Sequence, residues 1–191
     1  MNGLIRRGTV AMALAVAVLA GCKSEPSLGP DQQLVGAPAN AIAGGRTTPD
    51  LGSCDSLQAP EGSQLAFRVY ATGSQIYRWT GSSWTFVAPA ADLFADADGN
   101  GKVGTHYAGP TWESTSGSKV IGTVMRRCTP NPTAIPWLLL SGVSSGGAGI
   151  FNGVTFIQRV NTAGGIAPAQ PGSTIGEMSN VPYTTEYYFY R

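Results

Sequence analysis

The sequence predicts an all-β domain, either an antiparallel β-sandwich or a barrel-like meander, with long Gly/Pro loops and little helix. Apolar and polar side chains alternate cleanly over residues 64–71, which is typical of a strand with one buried face. Further segments rich in Val, Ile, Thr and aromatic residues are separated by Gly, Pro and Asn turn signals. No segment longer than about ten residues carries the apolar stripe of a helix.

Turn signals divide these segments into successive strands. Residues 73–74 can turn the chain, residues 81–83 predict a second turn, and Asn100-Gly101 predicts a hairpin. The strands are predicted at residues 64–71, 75–79, 84–88, 93–94, 103–107, 119–128, 154–160 and 184–190.

The later part of the domain is richer in loops. Three prolines between residues 130 and 136 exclude regular structure there. Regular structure is predicted to resume at residues 137–140, as either a buried strand or a short helical turn. The Gly/Ser-rich residues 141–149 predict one loop, and residues 161–183 predict a longer one.

The N-terminus has the features of an export signal. Arg6 and Arg7 precede an apolar run over residues 10–20 that is too short to span a bilayer as a permanent helix. The run ends in LAGC at residues 19–22, which resembles the lipobox of bacterial lipoproteins. The resemblance implies that residues 1–21 are a signal peptide and that Cys22 is lipidated. The alternative is an ordinary secretory peptide with a chance cysteine.

A flexible tether is predicted for residues 22–53, because they show no strand or helix period and few aromatic side chains. A chain of about 30 such residues spans on the order of 30 Å, so residues 54–191 are predicted to form a single β domain held off a membrane. The predicted location is that of an exported, membrane-anchored lipoprotein, periplasm-facing or in the outer membrane. Lys23 after the lipidated cysteine fits the outer membrane by resemblance to lipoprotein sorting rules.

Charge and cysteine content limit the partners. Removing Arg6 and Arg7 from the 12 basic residues leaves 10 against 11 acidic ones, so nucleic-acid binding has no electrostatic support. Of the three cysteines, Cys54 and Cys128 remain once Cys22 is lipidated. In an oxidising compartment they are predicted to form a disulfide.

The domain contains a series of motifs that occur together in one known family. They are ATGSQIY at 71–77, APAADL at 88–93, HYAGPTWE at 106–113, GS at 117–118, IPWLL at 135–139, IQRVNT at 157–162, GGIAP at 164–168 and YYFY at 187–190. From about residue 54 to the C-terminus the chain thus resembles the domain of unknown function numbered 3455, which occurs in exported bacterial and fungal proteins. The resemblance implies no established activity.

The segment at residues 104–113 holds the only histidine, His106, together with Glu113 across a Gly-Pro turn. Histidine titrates near neutrality and a glutamate could orient it, so the pair could serve a hydrolase- or lyase-like extracytoplasmic enzyme. The alternative is a structural histidine bonded to a backbone carbonyl. No further group completes a catalytic set, so no residue is assigned as catalytic.

Aromatic residues in the same segment favour binding over catalysis. Tyr107 and Trp112 are predicted pocket walls, because flat rings stack on apolar or sugar ligands. With His106 and Glu113 they form the candidate ligand site. The leading prediction is a lipid-anchored, non-catalytic domain that binds a small molecule, a saccharide or an envelope protein. The alternatives are the enzyme and a purely structural envelope component.

Residues 96–101 match the first half of a calcium-binding loop. Asp96, Asp98 and Asn100 supply oxygens at alternate positions before Gly101, but the bidentate glutamate expected later in such a loop is replaced by Tyr107. A weak Ca²⁺ site is therefore one hypothesis, and no other cofactor is predicted. The other is a hairpin turn whose side chains cap their own backbone.

Overall fold

The computed structural model describes residues 47–191, and they form a closed barrel of eight antiparallel strands. Each strand pairs with the next along the chain, and the last pairs with the first. Of the two predicted architectures, the barrel-like meander is confirmed. The strands are β1 (Leu65–Trp79), β2 (Trp84–Phe94), β3 (Lys102–Tyr107), β4 (Thr111–Ser114), β5 (Ser118–Cys128), β6 (Trp137–Gly146), β7 (Phe156–Gly164) and β8 (Met178–Tyr190).

Helix is confined to one 3-10 turn at Asp55–Leu57 in the part of the chain that the structure describes. No helix within residues 47–191 is long and apolar enough to cross a membrane. The predicted signal peptide, the Cys22 anchor and residues 22–46 of the predicted tether lie outside the described residues.

The turn predicted at residues 73–74 is wrong, because β1 continues straight through Gly73. A Cβ atom at this position would lie 2.2 Å from the carbonyl oxygen of Ala90 on β2. The glycine therefore serves the close approach of two strand backbones and not a change of direction. The two short segments predicted at 84–88 and 93–94 are also one strand, β2.

The loop predicted at residues 141–149 is also wrong over residues 141–146, since β6 extends to Gly146. Gly142 faces the barrel interior, where an added Cβ atom would lie 2.9 Å from Val120 Cγ2. Small residues here make room for neighbours in the barrel. The long loop predicted at 161–183 is shorter, because β7 and β8 extend into it from both sides, and β4 was not predicted.

Apolar side chains fill the barrel interior, and a second apolar layer lies outside it. The inner core includes Val69, Leu93, Ile157 and Phe189. On the outer face, Leu57 packs with Leu139 and the buried Cys54. The predicted Cys54–Cys128 disulfide is present, with Cα atoms 5.7 Å apart, and it fixes the segment before β1 against the end of β5.

Candidate ligand-binding site at one end of the barrel

His106 and Trp112 form a stacked pair inside the barrel. They are opposite one another on β3 and β4, and their ring centroids are 4.3 Å apart with planes inclined by 15°. The edge of Tyr187 on β8 meets both rings at centroid distances of 5.2 Å. Barrel closure thus brings an aromatic side chain from the C-terminal strand against the Gly-Pro hairpin.

The environment of His106 keeps its imidazole neutral. The side chain is 3% exposed, and Nδ1–H donates to the backbone carbonyl of Thr111 at 2.9 Å. Burial lowers the pKa of His106 to about 3, although the hydrogen bond to Thr111 opposes this shift. At neutral pH this ring therefore carries no charge and has one nitrogen occupied.

Glu113 and Tyr107 point to the outer face of the same strands. The Tyr107 hydroxyl donates to Glu113 Oε2 at 2.7 Å, and Lys119 Nζ lies 3.2 Å from the same oxygen. The hydrogen bond from Tyr107, followed by that from Lys119, lowers the pKa of Glu113. This is a solvated surface cluster.

The predicted site residues are therefore divided between two faces. Because His106 is registered opposite Trp112, and successive side chains of a strand alternate, Glu113 must face away from the histidine. No carboxylate of the described residues is bonded to His106. The structure brings His106 and Trp112 together, and separately Tyr107 and Glu113.

A cavity of about 220 Å³ opens beside Trp112 at the barrel end that carries the Gly-Pro hairpin. Its wall is mainly apolar. Phe86 and Val87 at this end are about half exposed, whereas the side chains deeper in the cavity are buried. The wall includes Phe86, Val87, Trp112, Leu138, Leu140 and Tyr187.

Four buried polar side-chain atoms have no hydrogen-bond partner in the described structure. Two of them, Trp112 Nε1 and the Tyr187 hydroxyl, belong to residues of the cavity wall, and each residue is 1% exposed. The others are Gln75 Nε2 and the Tyr183 hydroxyl. Leaving a buried polar group unsatisfied costs on the order of 1–3 kcal/mol, so such a group in a native protein calls for an explanation.

Arg159 contributes positive charge to the same interior. It is opposite Leu138 on β6 and Tyr187 on β8, and both of these line the cavity. Its Nε and Nη2 donate to the carbonyl of Pro136 at 3.1 and 2.7 Å.

The positive charge of Arg159 also affects the pKa values of tyrosine hydroxyls. Burial raises the pKa of Tyr187, and the guanidinium partly opposes that shift. The same opposition acts on Tyr77, whose pKa burial also raises. Arg159 and Tyr183 are both close enough to Tyr187 to affect its pKa, but no hydrogen bond of acceptable geometry joins either to its hydroxyl.

Comparison with known proteins gives a family and no function. Residues 60–191 match the family described as protein of unknown function (DUF3455). The chain belongs to the DUF3455 family. No curated protein matches the chain. No solved structure matches it either.

In the loop of this DUF3455 protein for which a weak calcium site was one hypothesis, a side chain caps the backbone of the turn. Asp96 Oδ1 accepts hydrogen bonds from the backbone N–H groups of Asp98 and Asn100 at 3.0 and 2.8 Å. The bond from Asn100 contributes most to lowering the pKa of Asp96. Residues 47–191 contain no group of three or more His, Cys, Asp or Glu side chains placed to hold a metal ion.

Sequence reasoning did not identify Tyr187 or Arg159 as site residues of the DUF3455 domain. Arg159 follows Ile157 by two positions on β7, and strand alternation places both on the inner face. A charged residue on the apolar face of a predicted strand was the available signal.

Proposed function

We propose that this domain binds a small, largely apolar ligand in the cavity beside Trp112 and does so without catalysis. The observation that carries the proposal is a mainly apolar cavity whose wall includes Trp112 and Tyr187, each of which holds a buried donor without a partner among residues 47–191. A ligand that offers an acceptor atom would satisfy them and fill the space.

The barrel architecture supports a ligand of limited size. An eight-stranded barrel has an interior just wide enough to be filled by side chains or to hold one small ligand. The cavity, about 220 Å³, is somewhat smaller than the range of about 300–1,000 Å³ common for ligand pockets. The half-exposed Phe86 and Val87 would give an apolar ligand a favourable approach.

The state of His106 supports binding over the alternative of a hydrolase- or lyase-like enzyme. A general base needs a pKa near the working pH and access to the proton that it abstracts. His106 has a pKa of about 3 and is 3% exposed, while Glu113 is bonded to Tyr107 and Lys119 on the opposite face.

The proposal also assigns the domain to the cell envelope, anchored to a membrane by lipidated Cys22. Its support is the LAGC sequence at residues 19–22 and the Cys54–Cys128 disulfide, which is compatible with export. Mass spectrometry of the protein purified from membranes tests this part, and an unmodified Cys22 in the mature chain would contradict it.

The cavity is tested with 2-phenylethanol, a neutral aromatic probe with one hydroxyl. Val124 lines the cavity, whereas Val143 on the neighbouring strand is 71% exposed on the outer face. Val124→Trp should fill the cavity, and Val143→Trp adds the same side chain outside it. Saturation-transfer nuclear magnetic resonance should detect binding to the natural protein and to V143W, with dissociation constants on the order of 0.1–1 mM for so small a ligand.

The outcome distinguishes the cavity from other surfaces. Loss of binding in V124W, with its circular dichroism and thermal unfolding still those of a folded barrel, supports the proposal. Equal binding by all three proteins, or binding by none of them, overturns it.

A further inference from the structure

We propose that the cavity selects a small apolar carboxylate, with Arg159 as the counter-ion of the bound carboxylate group. This inference rests on the proposed binding function and specifies the chemical class of the ligand. Its starting point is a guanidinium that is held inside the barrel and has no acidic partner among residues 47–191.

Arg159 is not itself a residue of the cavity wall, but the strand register places it between two residues that are. Its neighbours across the sheet are Leu138 and Tyr187, and both belong to the cavity wall. Its positive charge also acts on His106, where it adds to the effect of burial in lowering the pKa. Side chains from β3, β7 and β8 thus share one electrostatic environment inside the barrel.

The guanidinium retains a free donor. Nε and Nη2 both donate to the carbonyl of Pro136, which holds the side chain in place. Nη1 has no hydrogen-bond partner within residues 47–191, and no carboxylate of these residues lies within 4.0 Å of the guanidinium. A positive charge that is partly removed from water without a counter-ion is unfavourable, and a bound anion would relieve this.

The remaining polar groups match the same ligand. Trp112 Nε1 is a donor only and the Tyr187 hydroxyl can donate, so both suit the oxygens of a carboxylate. Arg127 is the only charged residue of the cavity wall, and it adds a second positive charge at the mouth. A cation would meet no opposite charge along this path.

The apolar wall defines the rest of the ligand. Phe86, Leu138 and Leu140 offer only hydrocarbon surface, so the carboxylate should carry a compact apolar or aromatic body. A cavity of about 220 Å³ is too small for a long acyl chain. The ligand is therefore expected to be a short aromatic or branched aliphatic acid.

The test compares phenylacetate with phenylacetamide, which has the same shape and no charge. Isothermal titration calorimetry on the natural protein should give at least about tenfold tighter binding of phenylacetate, because a charge-assisted hydrogen bond replaces a neutral one. In Arg159→Gln the ratio should fall to about twofold or less, with phenylacetamide affinity unchanged. Arg159→Lys should retain part of the preference, since lysine keeps the charge without the planar donor geometry.

A matched control is Arg78→Gln, which removes an exposed positive charge on β1 and should leave the full preference intact. Unchanged phenylacetamide binding also shows that R159Q remains folded around the cavity. Equal affinity of the natural protein for the two probes overturns the carboxylate inference and leaves the proposed function standing. Binding of neither probe overturns both.

Discussion

The tyrosines of strand β8 lie on two faces of the barrel wall, and their buried hydroxyls differ in whether they have hydrogen-bond partners. Tyr190 faces outward, and its hydroxyl donates to Gln158, whose amide nitrogen in turn donates to the carbonyl of Leu57 at 2.7 Å. Tyr183 and Tyr187 face inward, and their hydroxyls are buried without a partner in the part of the chain that the structure describes. One strand thus separates a satisfied outer layer from an unsatisfied inner one.

The difference separates a layer that contributes to stability from a layer whose unsatisfied groups support the proposed binding function. Gln158 and Tyr190 satisfy one another beneath the segment before β1, so the outer layer contributes to the free energy of folding. The inner hydroxyls each reduce that free energy unless something outside the chain bonds to them. Proteins commonly accept such a cost at functional sites.

The largest expected effect on the free energy of unfolding comes from removing the disulfide of the outer layer. Cys54→Ala with Cys128→Ala removes a cross-link between residues 74 positions apart, and this should lower the free energy of unfolding by about 4 kcal/mol through the larger entropy of the unfolded chain. Urea denaturation monitored by circular dichroism measures the change.

Ligand binding in the barrel interior provides the control for the variant without the disulfide. The cavity is formed by β2, β4, β5, β6 and β8, and neither cysteine lines it, so phenylethanol should still bind to the fraction that is folded. A loss of less than about 1 kcal/mol would mean that the outer layer does not depend on the cross-link.

The outer and inner layers also differ in how far sequence could predict them. Alternation, turn residues and cysteine context predicted the all-β class, most strand positions and the disulfide. Gly73 and Gly142 were misinterpreted as parts of a turn and a loop, because a glycine that admits a neighbouring backbone or side chain has the same sequence signature as one that turns the chain.

The arrangement of residues at the candidate site could not be predicted from local sequence patterns alone. Register across the Gly-Pro hairpin separates His106 from Glu113, and strand alternation could have predicted it once β4 was recognised. Tyr187 meets His106 and Trp112 only because the barrel closes, and no local signal specifies a pairing between distant strands.

The second effect concerns His106, the inner titratable group that burial keeps neutral. Its pKa is about 3 in the folded protein and about 6.5 in an unfolded chain, so the unfolded chain binds more protons between these values. Stability should therefore fall as the pH falls through this window, by about 2 kcal/mol between pH 6.5 and pH 4.5. Chemical denaturation at several pH values measures this loss.

His106→Asn is the matched control, because its amide can donate to the Thr111 carbonyl but does not titrate. Its stability should be nearly flat over that pH interval. The pKa of Glu113 is lowered, so its stabilising contribution is lost only at lower pH and does not account for the change. Parallel pH profiles for the two proteins would show that His106 does not control acid stability.

The smallest effect tests the contrast between the two layers directly. Tyr187→Phe removes a buried hydroxyl that has no partner, so it should raise the free energy of unfolding by about 1 kcal/mol. The same change should weaken phenylacetate binding several-fold, because the bound carboxylate loses the hydrogen bond donated by the Tyr187 hydroxyl. Urea denaturation and calorimetry on one preparation measure both quantities.

Tyr190→Phe is the opposite case three positions along the same strand. It removes a hydroxyl that is bonded to Gln158 and leaves the amide oxygen of that residue buried without a partner, so stability should fall by about 2 kcal/mol. Phenylacetate affinity should not change, because Tyr190 faces away from the cavity. If both variants lose stability, the Tyr187 hydroxyl is already satisfied within the barrel, by Tyr183, Arg159 or an internal water, and would not be available to a ligand.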